Sequence, residues 1–282
     1  MRRFYFFCFI IIATLLTVSC SAINYAYNNA PSFIAGELDD AFDLDNAQQH
    51  QLDERLREFF AWHRQHELPR YQQFMNAAAI TIADGVTAAE FLEISADLRL
   101  AWRRLLTRAI EDLGDLALTL TPAQIEHYQQ YFHDDAEDHR DYLQMSVQQR
   151  QIFRAKRGIK RLQNWFGKFS KKQREKISLR LKQLPEFYPA WITYRKARQQ
   201  ALVDALRKMK TEGLSRQQLK FILLDPTSDY ASVFEPARQA YWQAYAKMIE
   251  DIGDRLSKAQ LRHAVNRLQN YSDIVYGLAN DR

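Results

Sequence analysis

Six candidate helix starts have a Ser, Thr or Asp followed three residues later by Gln or Glu: Asp45/Gln48, Thr87/Glu90, Thr121/Gln124, Ser170/Gln173, Ser215/Gln218 and Ser257/Gln260. In each pair the first side chain can accept from the backbone N–H three residues on, and the Gln or Glu can reach back to the first residue's own N–H. Two donors that a helix start leaves orphaned are thereby satisfied. An apolar residue precedes every pair (Leu44, Val86, Leu120, Phe169, Leu214, Leu256), and in four a second one follows at the staple position (Phe91, Ile125, Leu219, Leu261). Apolar residues recur at helical spacing in Leu52, Leu56, Phe59, in Phe91, Leu98, Trp102, Leu105, Leu113, and in Leu261, Val265, Leu268, Val275, Leu278, with no sustained strand-type alternation. Only 8 Gly and 7 Pro occur in 282 residues, which argues against turn-rich all-β folds and glycine-rich nucleotide loops. The fold class is all-α, a multi-helix bundle.

The six helix starts fall into two sets of three. Asp45, Thr87 and Thr121 are offset from Ser170, Ser215 and Ser257 by 125, 128 and 136 residues. The hexapeptide Ile110-Glu111-Asp112-Leu113-Gly114-Asp115 recurs 139 residues later as Ile249-Glu250-Asp251-Ile252-Gly253-Asp254, and Ala61-Trp62 recurs as Ala190-Trp191. Common capping chemistry explains the boxes but not the hexapeptide, so two duplicated three-helix units are expected. Between Thr121 and Phe166 only Gly158 interrupts the helical pattern, which predicts a long helix joining the halves. The expected divisions are 20–44 for an N-terminal segment, 45–145 for the first repeat, 146–169 for a basic connecting helix and 170–282 for the second repeat. Pro69 should end or kink the first long helix, Gly85 should separate it from the next, and Asp225-Pro226 to Glu235-Pro236 reads as a loop with at most a short helical turn.

Residues 1–19 read as a signal peptide: Arg2 and Arg3, then an apolar run from Phe4 to Val18, short of the roughly 20 residues that cross a bilayer. Leu16-Thr17-Val18-Ser19-Cys20 resembles a bacterial lipoprotein box, with Thr17 where Leu is usual. The competing reading is an ordinary signal cut near Ala22. Lipidation of Cys20 is favoured, because Cys8 would leave with the signal and no other Cys follows. A chain starting at Cys20 then has no disulfide, no thiol nucleophile and no thiolate metal site. Without Arg2 and Arg3 the Lys+Arg total falls from 39 to 37 against 34 Asp+Glu, a balance too mild to imply nucleic acid.

Three features could carry chemistry. In Trp62-His63-Arg64-Gln65-His66-Glu67-Leu68-Pro69, His63 and His66 are three apart and His63 and Glu67 four apart, which suits proton transfer or a metal. The order H-x-x-H-E matches neither zincin arrangement, and the favoured reading is a histidine at the core edge held by Glu67. Second, the carboxylates Glu111, Asp112, Asp115 and Glu250, Asp251, Asp254 suggest either a calcium-type oxygen site or salt bridges to a neighbouring helix; the salt bridges are preferred, with Gly114 and Gly253 ending helices. Third, Arg150 to Lys182 holds 13 Lys/Arg against the single acid Glu175, and Arg150, Arg154, Arg157 and Arg161 stack at helical spacing. That stripe could touch an anionic lipid surface or polymer, or pair with the nine acids between Glu111 and Asp141. The remaining histidines (His50, His127, His133, His139, His263) sit in no motif, and no nucleophile elbow or phosphate loop occurs.

Cys20, Tyr27-Asn28-Asn29-Ala30-Pro31, Asp43-Leu44-Asp45 with Gln48, and Trp62-His63-Arg64 followed by Glu67-Leu68-Pro69-Arg70-Tyr71 together resemble the DUF6279 family of bacterial lipoproteins. The resemblance implies an envelope lipoprotein of Gram-negative bacteria and nothing about activity; no cofactor and no metal are expected. It singles out Asn28, Asn29, Trp62, His63, Glu67 and Tyr71, to which His66 is added as a candidate from its spacing. The expectation is a non-enzymatic scaffold or adaptor, anchored by lipid in the outer membrane with its body on the periplasmic side. Its expected partners are the membrane and an envelope protein or anionic envelope polymer, with the basic segment as the contact. The alternative is an envelope-polymer (peptidoglycan) hydrolase or binding protein using His63, His66 and Glu67.

Overall fold

A computed structural model describes residues 20–137, 140–212, 216–224 and 229–280; the signal segment 1–19 and the box residue Ser215 lie outside the described residues. The described chain is helical almost throughout, with no strand beyond an isolated Ala83–Gly85 bridge. In order, the helices are α1 (Cys20–Asn28), α2 (Ala30–Phe42), α3 (Asn46–Trp62), α4 (Leu68–Ile82), α5 (Ala88–Thr119), α6 (Pro122–Glu137), α7 (Arg140–Gln144), α8 (Val147–Phe166), α9 (Lys171–Gln183), α10 (Tyr188–Glu212), α11 (Arg216–Leu224), α12 (Asp229–Gly253) and α13 (Lys258–Asn280).

The boxes at Asp45, Thr87, Thr121, Ser170 and Ser257 form as the spacing predicts. At Asp45 the carboxylate accepts from the N–H groups of Ala47 and Gln48, both at 2.9 Å, while Gln48 Oε1 accepts from Asp45 N–H at 3.0 Å. Thr87 and Ser257 show the same exchange with Glu90 and Gln260. A further box, Ser146/Gln149, opens α8 and overturns the long helix expected between Thr121 and Phe166. There the Ser146 side chain satisfies a fresh helix start, and Arg150 Nη1 donates to the Met145 carbonyl at 2.7 Å. Gly158 is not a breaker: a Cβ there would lie 2.7 Å from Leu181 Cδ1, so this glycine lets α8 and α9 approach closely. Three other expectations are corrected. Gly114 lies inside α5, Pro236 lies inside α12, and Leu98 and Trp102, on an apolar stripe, are 55% and 48% exposed.

The described helices form two compact units, each drawing on both halves of the sequence. Unit 1 comprises residues up to Gln65, Ala101–Asp141 and Trp191–Val233; its core gathers Leu52 and Leu56 of α3, Ile110 and Leu116 of α5, Ile125 of α6, Leu206 of α10 and Leu219 of α11. Unit 2 comprises His66–Leu100, Tyr142–Ala190 and residues from Phe234. Its core sets Leu162 and Phe166 of α8 and Ile177 and Leu181 of α9 against Ile249 of α12 and Ala264 of α13, while Ala78 and Ala79 let α4 lie along α13 beside Leu268.

Each unit is closed by a pair of glutamines that belong to two boxes. In unit 1 Gln48 Nε2 donates to Gln124 Oε1 (3.1 Å) and to the Thr119 carbonyl (3.2 Å), and Gln124 Nε2 donates to the Asp43 carbonyl (2.8 Å). In unit 2 Gln173 Nε2 donates to Gln260 Oε1 (3.1 Å) and the Arg255 carbonyl (3.0 Å), and Gln260 Nε2 to the Lys168 carbonyl (2.9 Å). Every carbonyl so used lies two residues before the other box's N-cap.

Candidate functional site

Pro69 has no N–H to give and its ring would crowd the carbonyl four residues back. The chain answers with a π-helical turn, His63–Glu67, between α3 and α4, so the helical run continues past the proline. Such one-turn widenings recur at functional positions, and this one lies on the segment that the family resemblance singles out.

Within unit 1 the turn receives the N-terminal helix. Tyr27 of α1 places its hydroxyl 2.8 Å from His63 Nδ1, and its ring stands edge-on to Phe60 at 5.7 Å. Phe59 stacks near-parallel on His63 at 6.3 Å. Arg64 donates to Asn28 Oδ1 at 3.1 Å and holds its guanidinium 5.1 Å above the Tyr27 ring. Burial pushes the Tyr27 phenol up to about 12, with Arg64 pulling the other way. The phenol therefore stays protonated at neutral pH, and the His63 tautomer decides which partner donates. Arg108 of α5 lies 5.7 Å from the Trp62 ring centre and donates to Asp112 at 2.8 Å. Desolvation raises the Asp112 carboxyl, against the pull of Arg108. Asn29, between α1 and α2, turns back on α1, donating to the Tyr25 carbonyl.

In unit 2 the turn's last residue, Glu67, is wholly buried, and Arg70 Nη1 meets its Oε1 at 2.9 Å. His66 is exposed and Tyr71 half-buried. The spacing offered His63 to Glu67 as a held histidine, and Tyr27 takes the Nδ1 side of the ring. The sequence singled out Asn28, Trp62, His63 and Glu67 but passed over Tyr27 as a candidate. Its only signal was its place beside Asn28, because a partner 36 residues away leaves no periodic trace.

The four stacked arginines separate into two kinds. Arg150 grips Glu186 through Nε at 3.1 and 3.0 Å, and Arg154 donates to the carbonyls of Leu181, Lys182 and Leu184, capping the end of α9. Arg157 lies 5.2 Å over Phe153 on the outer side of α8, and Arg161 is exposed. Three of the nine acids between Glu111 and Asp141 pair with other cations: Glu111 with Lys220, Asp112 with Arg108 and Glu126 with Arg207. In the second hexapeptide Glu250 accepts from the Ala88 N–H at the start of α5 and Asp251 pairs with Arg180 at 2.6 Å. Both hexapeptides thus supply anchors for neighbouring helices, which explains carboxylates so close to the helix end at Gly253. Among the described residues no group of three or more His, Cys, Asp or Glu converges as a metal site.

Clamped helix starts and an N-terminal helix strapped to a π turn define an all-α multi-helix protein. A family of unknown function, DUF6279, matches residues 40–233, more than half the chain, and the protein belongs to that family. No curated protein and no solved structure matches it.

Proposed function

We propose that the protein is a lipid-anchored, periplasm-facing scaffold or adaptor of the Gram-negative envelope, carried on Cys20. The observation that supports this reading is the clamp on α1. Helix α1 begins at Cys20 and is held by Tyr27 and Asn28, seven and eight residues on, which is about 10–12 Å along a helix. An acyl chain on Cys20 would hold unit 1 directly at a membrane surface with no flexible tether, as suits a protein that presents a fixed face to another envelope component. No described helix is long and apolar enough to cross a membrane, so attachment would fall to the lipid.

The hydrolase reading needs a carboxylate that substrate can reach. Glu67 has none of its surface exposed and lies against Arg70, an arrangement that serves the packing of the turn. The test is metabolic labelling with a palmitate analogue, followed by membrane fractionation and in vivo crosslinking. Label on the wild type, lost in Cys20→Ala, with outer-membrane fractionation and a specific crosslinked partner, is the expected outcome. An unlabelled wild type that fractionates as a free periplasmic protein would overturn it.

A further inference from the structure

Helix α8 is the most sharply divided surface in unit 2. Its inner side buries Ala155, Leu162 and Phe166 against the unit's core. Its outer side carries Ile152, Phe153, Lys156, Arg157 and Lys160, all exposed, with Ile152 at 59% and Phe153 at 37%. On a helix with 100° between residues these five occupy one continuous arc of about 140°, which adjoins the buried one at Ile152 and runs round to the far side at Arg157. Arg150 and Arg154, already committed to Glu186 and to the end of α9, fall outside that arc.

We infer that the outer face of α8 is a second membrane-contact surface, one that lies on the anionic headgroups of a lipid bilayer. Two observations select lipid over a soluble polyanion. First, the cations are interleaved with large apolar side chains, and Arg157 lies over the Phe153 ring, so the face pairs charge with a greasy wedge. A polymer in water would neutralise the charge and leave Ile152 wet, whereas the headgroup–acyl boundary receives both. Second, the neighbouring α9 repeats the composition: Leu179 is 57% exposed, and Lys172 and Lys176 are exposed on the same helix. The stretch from Arg150 to Lys182 holds 13 Lys/Arg against Glu175, so there is little repulsion to oppose an anionic surface. The face is no bilayer span, since its outer arc is cationic and no described helix qualifies as one. It lies flat, as a helix of 20 residues some 30 Å long can.

The inference stands apart from acylation at Cys20, and its experiment uses residues 21–282 without lipid. Co-sedimentation is measured with vesicles of phosphatidylcholine alone and with phosphatidylglycerol added, with and without excess soluble polyphosphate. The expected result is binding to the anionic vesicles only, weakened by added salt. The variant Lys156→Glu/Arg157→Glu/Lys160→Glu, all at exposed positions, should lose on the order of 100-fold in partitioning. Ile152→Ser, which keeps every charge, should lose about threefold or more. Circular dichroism matching the wild type shows that both variants fold. Absence of binding to anionic vesicles at low salt would overturn the inference, as would charge reversal without effect. Full binding by Ile152→Ser together with complete displacement by polyphosphate would reassign the face to a polyanion. Failure of palmitate labelling with vesicle binding intact would sink the anchor reading and leave this one standing.

Discussion

The glutamine junctions of the two units are the same device in two settings. Gln48 with Gln124 and Gln173 with Gln260 exchange side-chain hydrogen bonds across two boxes, and each amide continues to a carbonyl two residues before the partner box. In unit 1 both glutamines are buried, at 5% and 7% exposure. In unit 2 Gln260 is buried but Gln173 is only half-buried, and the pair borders an open depression lined also by Gly167, Lys168, Arg255 and His263. The comparison explains why Gln stands at these four box positions although Glu would cap equally well. The side chain must accept from its own N-cap and donate across the junction, and a carboxylate can only accept. Thr87/Glu90 obeys the converse rule: Glu90 serves its own box, and the neighbouring N–H of Ala88 is met by Glu250.

The largest effect should come from removing the donor at the sealed junction. Gln124→Glu places an acceptor-only, charged group against Gln48 Oε1 and the Asp43 carbonyl with little water to relieve it. We expect a loss of about 3 kcal/mol. Gln260→Glu puts the same change beside the open depression and should cost about 1 kcal/mol. Urea unfolding of the two variants measures both values. Equal losses would show that the depression gives no access to water, and would erase the difference between the units.

A second way to sharpen the contrast lies in unit 2's packing. Gly158→Ala would set a methyl 2.7 and 2.8 Å from the Cδ atoms of Leu181, itself only 1% exposed and so without room to yield. Overpacking of roughly 1–3 kcal/mol competes with a helix-propensity gain of roughly 1. A net loss of about 1–2 kcal/mol is expected, read as a lowered melting temperature. A neutral or stabilised variant would mean that α8 and α9 can shift apart, and that unit 2 is the looser packed as well as the wetter.

How much of this could be read from the sequence depended on the range of each interaction. The boxes are local, their partners three residues apart, and every expected one in the described residues forms. The all-α class follows from them. What spacing could not convey was which boxes meet. Unit 1 joins the Asp45 and Thr121 boxes to α11 and to the second part of α5, while unit 2 joins the Ser170 and Ser257 boxes to the start of α5 and to most of α12, so each unit takes helices from both expected repeats. The matched hexapeptides sit at those contacts, Glu111 on Lys220 of α11 and Glu250 on Ala88 of α5. Local rules also misjudged Gly158, where a glycine that looks like a breaker answers to Leu181 on another helix, and Leu98 and Trp102, where a helical stripe continues past the surface it covers.

Unit 1 differs from unit 2 in one further way, the Tyr27 clamp on its N-terminal helix. Tyr27→Phe keeps the ring against Phe60 and removes only the bond to His63, so the loss should be about 0.5 kcal/mol, the smallest of these effects. The pH dependence carries more information than the size. Tyr27 titrates near 12 in the folded chain against an ordinary 10, so the folded state binds the proton more tightly than the unfolded one. The stability it contributes is complete below pH 10 and is lost as pH rises from 10 through 12. Wild-type protein should accordingly loosen around α1 in that window, seen as hydrogen exchange at α1 amides, whereas Tyr27→Phe should hold those amides at a constant, lower protection through it. If both proteins lose protection in parallel, other buried phenols such as Tyr241, which lies in unit 2, set the alkaline limit, and the clamp is a packing contact whose hydroxyl matters little.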